Sequence, residues 1–200
     1  IYDTPLVDRK KEREIRLRLN SYNYIFVSCS KVRNVFNNLF KHHAKPKLLE
    51  TGYLRYSYLI KNIKHKSNTK TVVIAPTGID SFKKLSLKKK LNSIIKILNY
   101  NGFFVILRPH PRDFNKIFYL KIKNKQKKNN LFLFDDSSNY LNTYNNSSLM
   151  ITDLSGTAYT YAFLTKKPVI FFSEREYLIN KSDYKYLNYF ADRRIIGEII

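Results

Sequence analysis

The 200-residue chain reads as an α/β protein built on a parallel, Rossmann-like sheet with helices on both faces. Three observations predict this. From Lys70 onward, short apolar runs alternate with polar or amphipathic stretches of helical length. Each run is closed by Pro, Gly, Asn or Asp. The stretches between runs are long enough for the crossovers that parallel pairing requires, and longer than hairpins need.

The strands are expected at 71–75, 103–107, 131–134, 149–152 and 169–172, where β-branched, aromatic and leucine side chains concentrate. Helices are expected near 81–99, 112–127, 138–145 and 157–165. In the first of these, Leu87, Leu91, Ile94, Ile95 and Leu98 recur at spacings of three and four, an apolar stripe opposite a Lys-rich face. Before Lys70 the pattern occurs once more, as a strand at 24–27, a helix at 31–40 and a short strand at 47–50. Residues 62–70 are polar and read as a linker. Residues 1–61 then form a unit too small for a complete α/β domain, and 71–200 form the main one. The chain starts at Ile1 without an initiator Met, and Ile199-Ile200 looks like an interrupted element, so a piece of a longer protein is expected.

Composition narrows the function. A single cysteine, Cys29, excludes a disulfide-stapled domain and any cysteine-based metal site. No metal or cofactor is indicated by ligand spacing. The apolar runs are strand-sized, far from the roughly 18 residues of a membrane span. Lys and Arg number 37 against 15 Asp and Glu, a formal net charge of +22 that favours anionic partners: nucleic acid, acidic lipid or a phosphorylated substrate. Lys-, Asn-, Ile-, Tyr- and Phe-rich composition is also what A+T-rich codons produce, so part of this charge reads as compositional bias.

In a doubly wound sheet, ligands bind beyond the carboxyl ends of the strands. The corners there are Pro76-Thr77-Gly78, Arg108-Pro109-His110-Pro111, Asp135-Asp136-Ser137-Ser138 and Asp153-Leu154-Ser155-Gly156-Thr157. In the last, the hydroxyls of Ser155 and Thr157 and the amides of Gly156 and Thr157 could hold a phosphate at a helix start. On local sequence alone, Ser155 reads first as the cap of that helix. In the second corner, two prolines stiffen a loop presenting an arginine, able to clamp phosphate, and a histidine, able to move a proton near neutral pH.

The order Thr51-Gly52-Tyr53-Leu54-Arg55, Ala75-Pro76-Thr77, Leu107-Arg108-Pro109-His110-Pro111, Ile151-Thr152-Asp153-Leu154-Ser155 and Lys167-Pro168-Val169-Ile170-Phe171-Phe172 resembles the CDP-glycerol glycerophosphotransferases. These are teichoic-acid and capsule-polymer enzymes of GT-B fold, and the resemblance covers about residues 24–175. It implies a GT-B-like architecture, with 1–61 a remnant of the N-terminal domain and 71–200 the nucleotide-binding domain. It implies Arg108 and His110 as catalytic residues facing the donor pyrophosphate or the transferred group. Asp153, Ser155, Gly156 and Thr157 would form the phosphate corner, with Thr77 on the nucleotide side. The chain departs from the family at Gly78-Ile79-Asp80, at Gly156 and at Ala158-Tyr159-Thr160. The Trp-His context of the family's N-terminal base is absent, and His42, His43 and His65 lie in unmatched positions.

The function so implied is transfer of glycerol phosphate, or a related phosphorylated alcohol, from a CDP-activated donor to a bacterial surface polymer or lipid-linked acceptor. The site would be cytoplasmic, peripheral at the inner face of the cell membrane, with the anionic surface as a further partner. A GT-B glycosyltransferase using a nucleotide sugar for capsule synthesis would use the same corners. A basic nucleic-acid-binding module is the reading from another class, and no nucleic-acid motif accompanies its charge.

Overall fold

The computed structural model describes residues 9–63, 70–80, 86–180 and 192–200. His65, most of the expected 62–70 linker and the first five residues of the expected 81–99 helix lie outside them. The chain divides into two compact units, Ile1–Asn62 and Ile63–Ile200.

In the first unit, helix α1 (Arg9–Leu19) precedes strand β1 (Tyr24–Val27), helix α2 (Ser30–Leu39), strand β2 (Lys47–Glu50) and helix α3 (Leu54–Ile60). The strands pair in parallel, Tyr24 opposite Lys47 and Val27 opposite Glu50. Val27, Leu39, Phe40 and Leu59 are the buried apolar residues among those described. Gly52 turns the chain from β2 into α3 at φ +72°, a left-handed conformation that a Cβ would disfavour.

The second unit contains a six-stranded, wholly parallel sheet. Its strands are β3 (Thr71–Ile74), β4 (Phe104–Leu107), β5 (Phe132–Phe134), β6 (Leu149–Thr152), β7 (Val169–Phe171) and β8 (Gly197–Ile199). They lie in the order β5-β4-β3-β6-β7-β8. The chain therefore starts mid-sheet, winds outward through β4 and β5, then returns to the far side of β3 and winds the other way. This is the doubly wound order, and its reversal lies between β3 and β6.

The crossovers explain the two covered faces. Helix α4 (Leu91–Tyr100) and helix α5 (Ile117–Lys125) follow β3 and β4. They share one face, where Leu91, Ile95, Tyr119 and Ile122 cluster with Val72, Ile74, Val105 and Leu107. Helix α6 (Tyr140–Asn146) and helix α7 (Thr157–Thr165) cover the other, where Tyr144, Ala158 and Tyr161 meet Val73, Ala75, Ile106 and Met150. Alternation along β3 thus sends Val72 and Ile74 to one layer and Val73 to the other. A strand buried on both faces must be apolar along its covered length, and the polar residues of β3 and β6, Thr71 and Thr152, stand at the strand ends.

The α/β architecture is as the sequence predicts, with differences at element ends and at the carboxyl terminus. Ala75, Phe103, Leu131 and Phe172 stand just outside the ladders. The stretch expected as one helix at 112–127 splits into a 3₁₀ turn, Pro111–Asp113, and α5, because Pro111 opens a tight turn capped by the His110 side chain. A 3₁₀ turn at Leu87–Lys90, capped by Ser86 Oγ, precedes α4 in the same way. Helices α1 and α3 were not expected, nor were helix α8 (Glu176–Asn180), helix α9 (Arg193–Ile196) or β8. Arg193 is buried over the Phe171 ring and bonds Glu176, which also accepts from Ser173 Oγ at 2.6 Å.

Strand β8 joins β7 at Gly197 opposite Val169. A Cβ on Gly197 would lie 2.2 Å from the Val169 carbonyl oxygen, so only glycine fits this approach. Gly197→Ala should lower stability by about 1–3 kcal/mol, the scale of overpacking, through displacement of β8. A melting temperature within a degree of wild type would contradict the described pairing.

Candidate functional site

At the reversal between β3 and β6 the connections leave for opposite faces of the sheet, at the carboxyl ends where doubly wound sheets hold ligands. The β3 exit is Ala75-Pro76-Thr77 and the β6 exit is Asp153 through Thr157. Beyond the last ladder pair, the Thr152 hydroxyl donates to the Ala75 carbonyl at 2.6 Å, supplying the hydrogen bond the ladder no longer provides.

Asp153 ties the exits together. Its Oδ1 accepts from the Thr77 amide at 2.8 Å and the Leu154 amide at 2.7 Å, and its Oδ2 accepts from the Leu87 amide at 3.0 Å. The residue is 1% exposed. Both oxygens are thus spent on backbone, and the carboxylate positions the corner instead of touching a phosphate, whose charge it would repel. Asp113, which the sequence reading passed over, does the same for the next loop: it is buried and accepts from the Ile79 amide at 2.6 Å. Its signal was an aspartate two residues past a Pro-bounded corner. Both carboxylates lie near the buried Tyr119, whose phenol is pushed well above its ordinary range by burial first and by these two charges second.

Arg108 turns toward β5. Its Nη1 donates to Asp135 Oδ2 at 2.5 Å and its Nη2 to the Ser137 carbonyl at 2.8 Å, and its side chain is 10% exposed. Asp135 also accepts from the Ser137 amide at 3.0 Å, from Ser137 Oγ at 2.6 Å and from Thr143 Oγ1. Burial pushes the Asp135 carboxyl up, but the bonds from Ser137, Thr143 and Arg108 outweigh it and hold the group below its ordinary value. No local sequence signal marks Arg108 for this structural duty.

His110 is half-buried and its Nδ1 accepts from the Arg112 amide at 3.2 Å. A nitrogen that accepts carries no proton, so in the neutral ring the proton is on Nε2. This tautomer makes Nε2 a donor.

At the β6 corner, helix α7 starts with Gly156 as its cap residue and with no side-chain cap. Ser155 therefore does not cap the helix through its hydroxyl. Gly156 is exposed and Ser155 and Thr157 are half-exposed, so the first turn of this nine-residue helix is open to a ligand. Thr157 Oγ1 bonds the Tyr144 hydroxyl. Thr77 Oγ1 is buried and has no partner among the described residues. The predicted residues thus divide into Thr77, Ser155, Gly156 and Thr157 around the reversal, Asp153 beneath them, and His110 with Arg108 on the β4 loop.

Among the described residues no three His, Cys, Asp or Glu side chains gather as a metal site, and no helix is long and apolar enough to cross a membrane. His42 and His43 lie past α2 in the first unit.

The family described as CDP-glycerol:poly(glycerophosphate) glycerophosphotransferase matches residues 3–191. No curated protein is significantly similar in sequence. Among solved structures, the wall teichoic acid polymerase TagF is 25% identical, with a TM-score of 0.53 over 88% of this chain and 44% of that one. A variant of TagF soaked with CDPG is 24% identical, with a TM-score of 0.56 over 98% of this chain and 50% of that one. The chain spans about half the length of these structures.

The Asp135 cluster gives a pH-dependent expectation. A carboxyl whose value is lowered on folding contributes stability above its unfolded value and loses it as pH falls through the folded one. Asp135→Asn should therefore cost about 3 kcal/mol at neutral pH, because Arg108 is left buried without its charge partner. The gap to wild type should shrink as pH drops below about 4. Denaturant melts at pH 7 and at acid pH check both, and a gap that widens in acid would reverse the assignment.

Proposed function

Because the chain belongs to the CDP-glycerol:poly(glycerophosphate) glycerophosphotransferase family, we propose that it carries the donor site of an enzyme moving glycerol phosphate from CDP-glycerol to a cell-wall polymer. The observation that carries this reading is the open first turn of α7 at the strand-order reversal, beside Thr77. The donor diphosphate would sit there, against the Gly156 and Thr157 amides, the Ser155 and Thr157 hydroxyls and the positive end of the helix. Asp153 would hold the two exits at fixed separation beneath it.

Transfer breaks the bond between the pyrophosphate bridge and the glycerol-bearing phosphorus, and CMP leaves with one more negative charge than it carried in the donor. Catalysis needs placement and charge stabilisation more than covalent chemistry. His110 Nε2–H would donate to the departing phosphate. It could not serve as base without giving up the Arg112 bond, so the acceptor hydroxyl must lose its proton to another group. Arg108 would act by position: its salt bridge fixes the loop carrying His110 and keeps positive charge behind it. A two-domain GT-B arrangement, with the first unit as a remnant of the N-terminal domain and the second as the nucleotide-binding domain, fits this reading.

Calorimetry with CDP tests it. The chain should bind CDP, and His110→Ala should bind nearly as well while losing roughly 10²–10³-fold in turnover in the active protein. His110→Gln, which keeps a donor near the Nε2 position, should recover part of the loss. Absence of heat with CDP would remove the donor-site reading.

The basic surface supports an anionic membrane as partner, with the protein peripheral at the inner face. Helices α4 and α5 lie on one face of the sheet, where Lys96, Lys121 and Lys125 are exposed beside Ile97, Tyr100, Ile117 and Leu120. Each lysine near such a surface is worth about 1 kcal/mol, and apolar side chains among them add contact with the acyl boundary. Vesicles containing anionic lipid should bind the protein and release it as salt is raised. Equal binding to neutral vesicles would show that the charge plays no part.

A further inference from the structure

We propose that Tyr144 is a positioning residue of the α7 corner, its buried phenol donating to Thr157 Oγ1 and so leaving the Thr157 hydroxyl proton directed as a donor to an anion. The proposal rests on the donor-site reading above. Tyr144 is 2% exposed, and its hydroxyl must give its hydrogen to an acceptor or bear the cost of a buried, unmade bond. Among the described residues that acceptor is Thr157 Oγ1. Burial pushes the phenol up to about 12, with the Thr157 bond only partly opposing it, so at neutral pH the group keeps its hydrogen. A hydroxyl oxygen that accepts from Tyr144 is free to donate its own hydrogen elsewhere, and Thr157 is half-exposed in the first turn of α7.

The position of the phenol is fixed from several sides. The Tyr144 ring packs edge-on against Tyr161, with centroids 5.2 Å apart. The end of α6 is held by Lys167, whose Nζ donates to the carbonyls of Tyr144, Asn145 and Ser147. Its neighbour Thr143 bonds Asp135, the partner of Arg108. Consecutive residues of α6 therefore set the loop that carries His110 and the hydroxyl at the start of α7. A second observation points to a ligand at this corner: Thr77 Oγ1 is buried without a partner among the described residues, and its backbone is pinned to Asp153 at the same reversal. A bound phosphate oxygen would complete the bonding that the protein leaves open there.

CDP titrated calorimetrically into the chain, with melting temperature measured in parallel, tests the proposal. Tyr144→Phe deletes one oxygen and keeps the ring against Tyr161. It should weaken CDP binding roughly tenfold, the effect of one charge-assisted hydrogen bond, while the melting temperature moves by a few degrees. Thr157→Val should weaken binding by a similar factor. The double variant should be no weaker than Thr157→Val alone, since Tyr144 acts only through the hydroxyl that Thr157→Val removes. Wild-type affinity in Tyr144→Phe, or losses that multiply in the double variant, would overturn it. So would a Tyr144→Phe protein that melts much lower yet binds CDP unchanged when folded. If the wild-type chain gives no heat with CDP, the donor-site reading itself fails and takes the proposal with it; wild-type binding with an indifferent Tyr144→Phe sinks the proposal alone.

Discussion

The Asp153 carboxylate, accepting from the amides of Thr77, Leu87 and Leu154, is the interaction on which the carboxyl end of the sheet depends. At the reversal between β3 and β6 the chains diverge, and their backbone donors lose the ladder that would have satisfied them. A single buried anion answers three of them at once. Each such bond is worth roughly 1.5–3 kcal/mol, while burying an ionised carboxylate costs several kcal/mol. The two nearly offset, so the net gain is geometry: the exit of β3, the turn before α4 and the exit of β6 are fixed to one another.

Asp113 and Asp135 repeat the device on neighbouring loops. Asp113 binds the amide of Ile79, and Asp135 gathers Arg108, Ser137 and Thr143. Buried carboxylates beyond β4, β5 and β6 thus give the loops rigidity that their polar, turn-rich sequences would not otherwise have. These three carboxylates stay beneath the surface, while Gly156 is exposed and Ser155, Thr157 and His110 are half-buried.

The remaining charge is distributed differently. The exposed pairs Lys90 with Glu174, Lys116 with Asp80 and Lys123 with Asp136 have half-exposed side chains and contribute little to stability. The excess of lysine over acid remains on the surface as a field, effective over about a Debye length and independent of any single contact. The cations therefore fall into separate sets, Arg108 buried in an ion pair and Lys96, Lys121 and Lys125 of α4 and α5 exposed.

The alternation of strands and helices, the parallel sheet and the places where the chain turns beyond the strands are legible in the amino-acid sequence. Those follow from local signals: apolar runs of strand length, the stripe at Leu87, Leu91 and Ile95, and breakers such as Pro76, Pro109 and Gly156. Tertiary structure alone decided what each polar side chain in those corners does. Asp153 meets Thr77 from 76 residues away and Arg108 meets Asp135 from 27 away. No periodicity encodes such a pairing, so the sequence does not show that Asp153 and Arg108 are bonded within the protein. Strand β8 was illegible for the same reason: three residues beginning with glycine have no strand signature, and pairing with β7 is what makes them one. The tautomer of His110 and the tie between Tyr144 and Thr157 likewise exist only once the folded backbone brings donor and acceptor within reach, because a hydrogen bond is a matter of distance and direction, not of residue type.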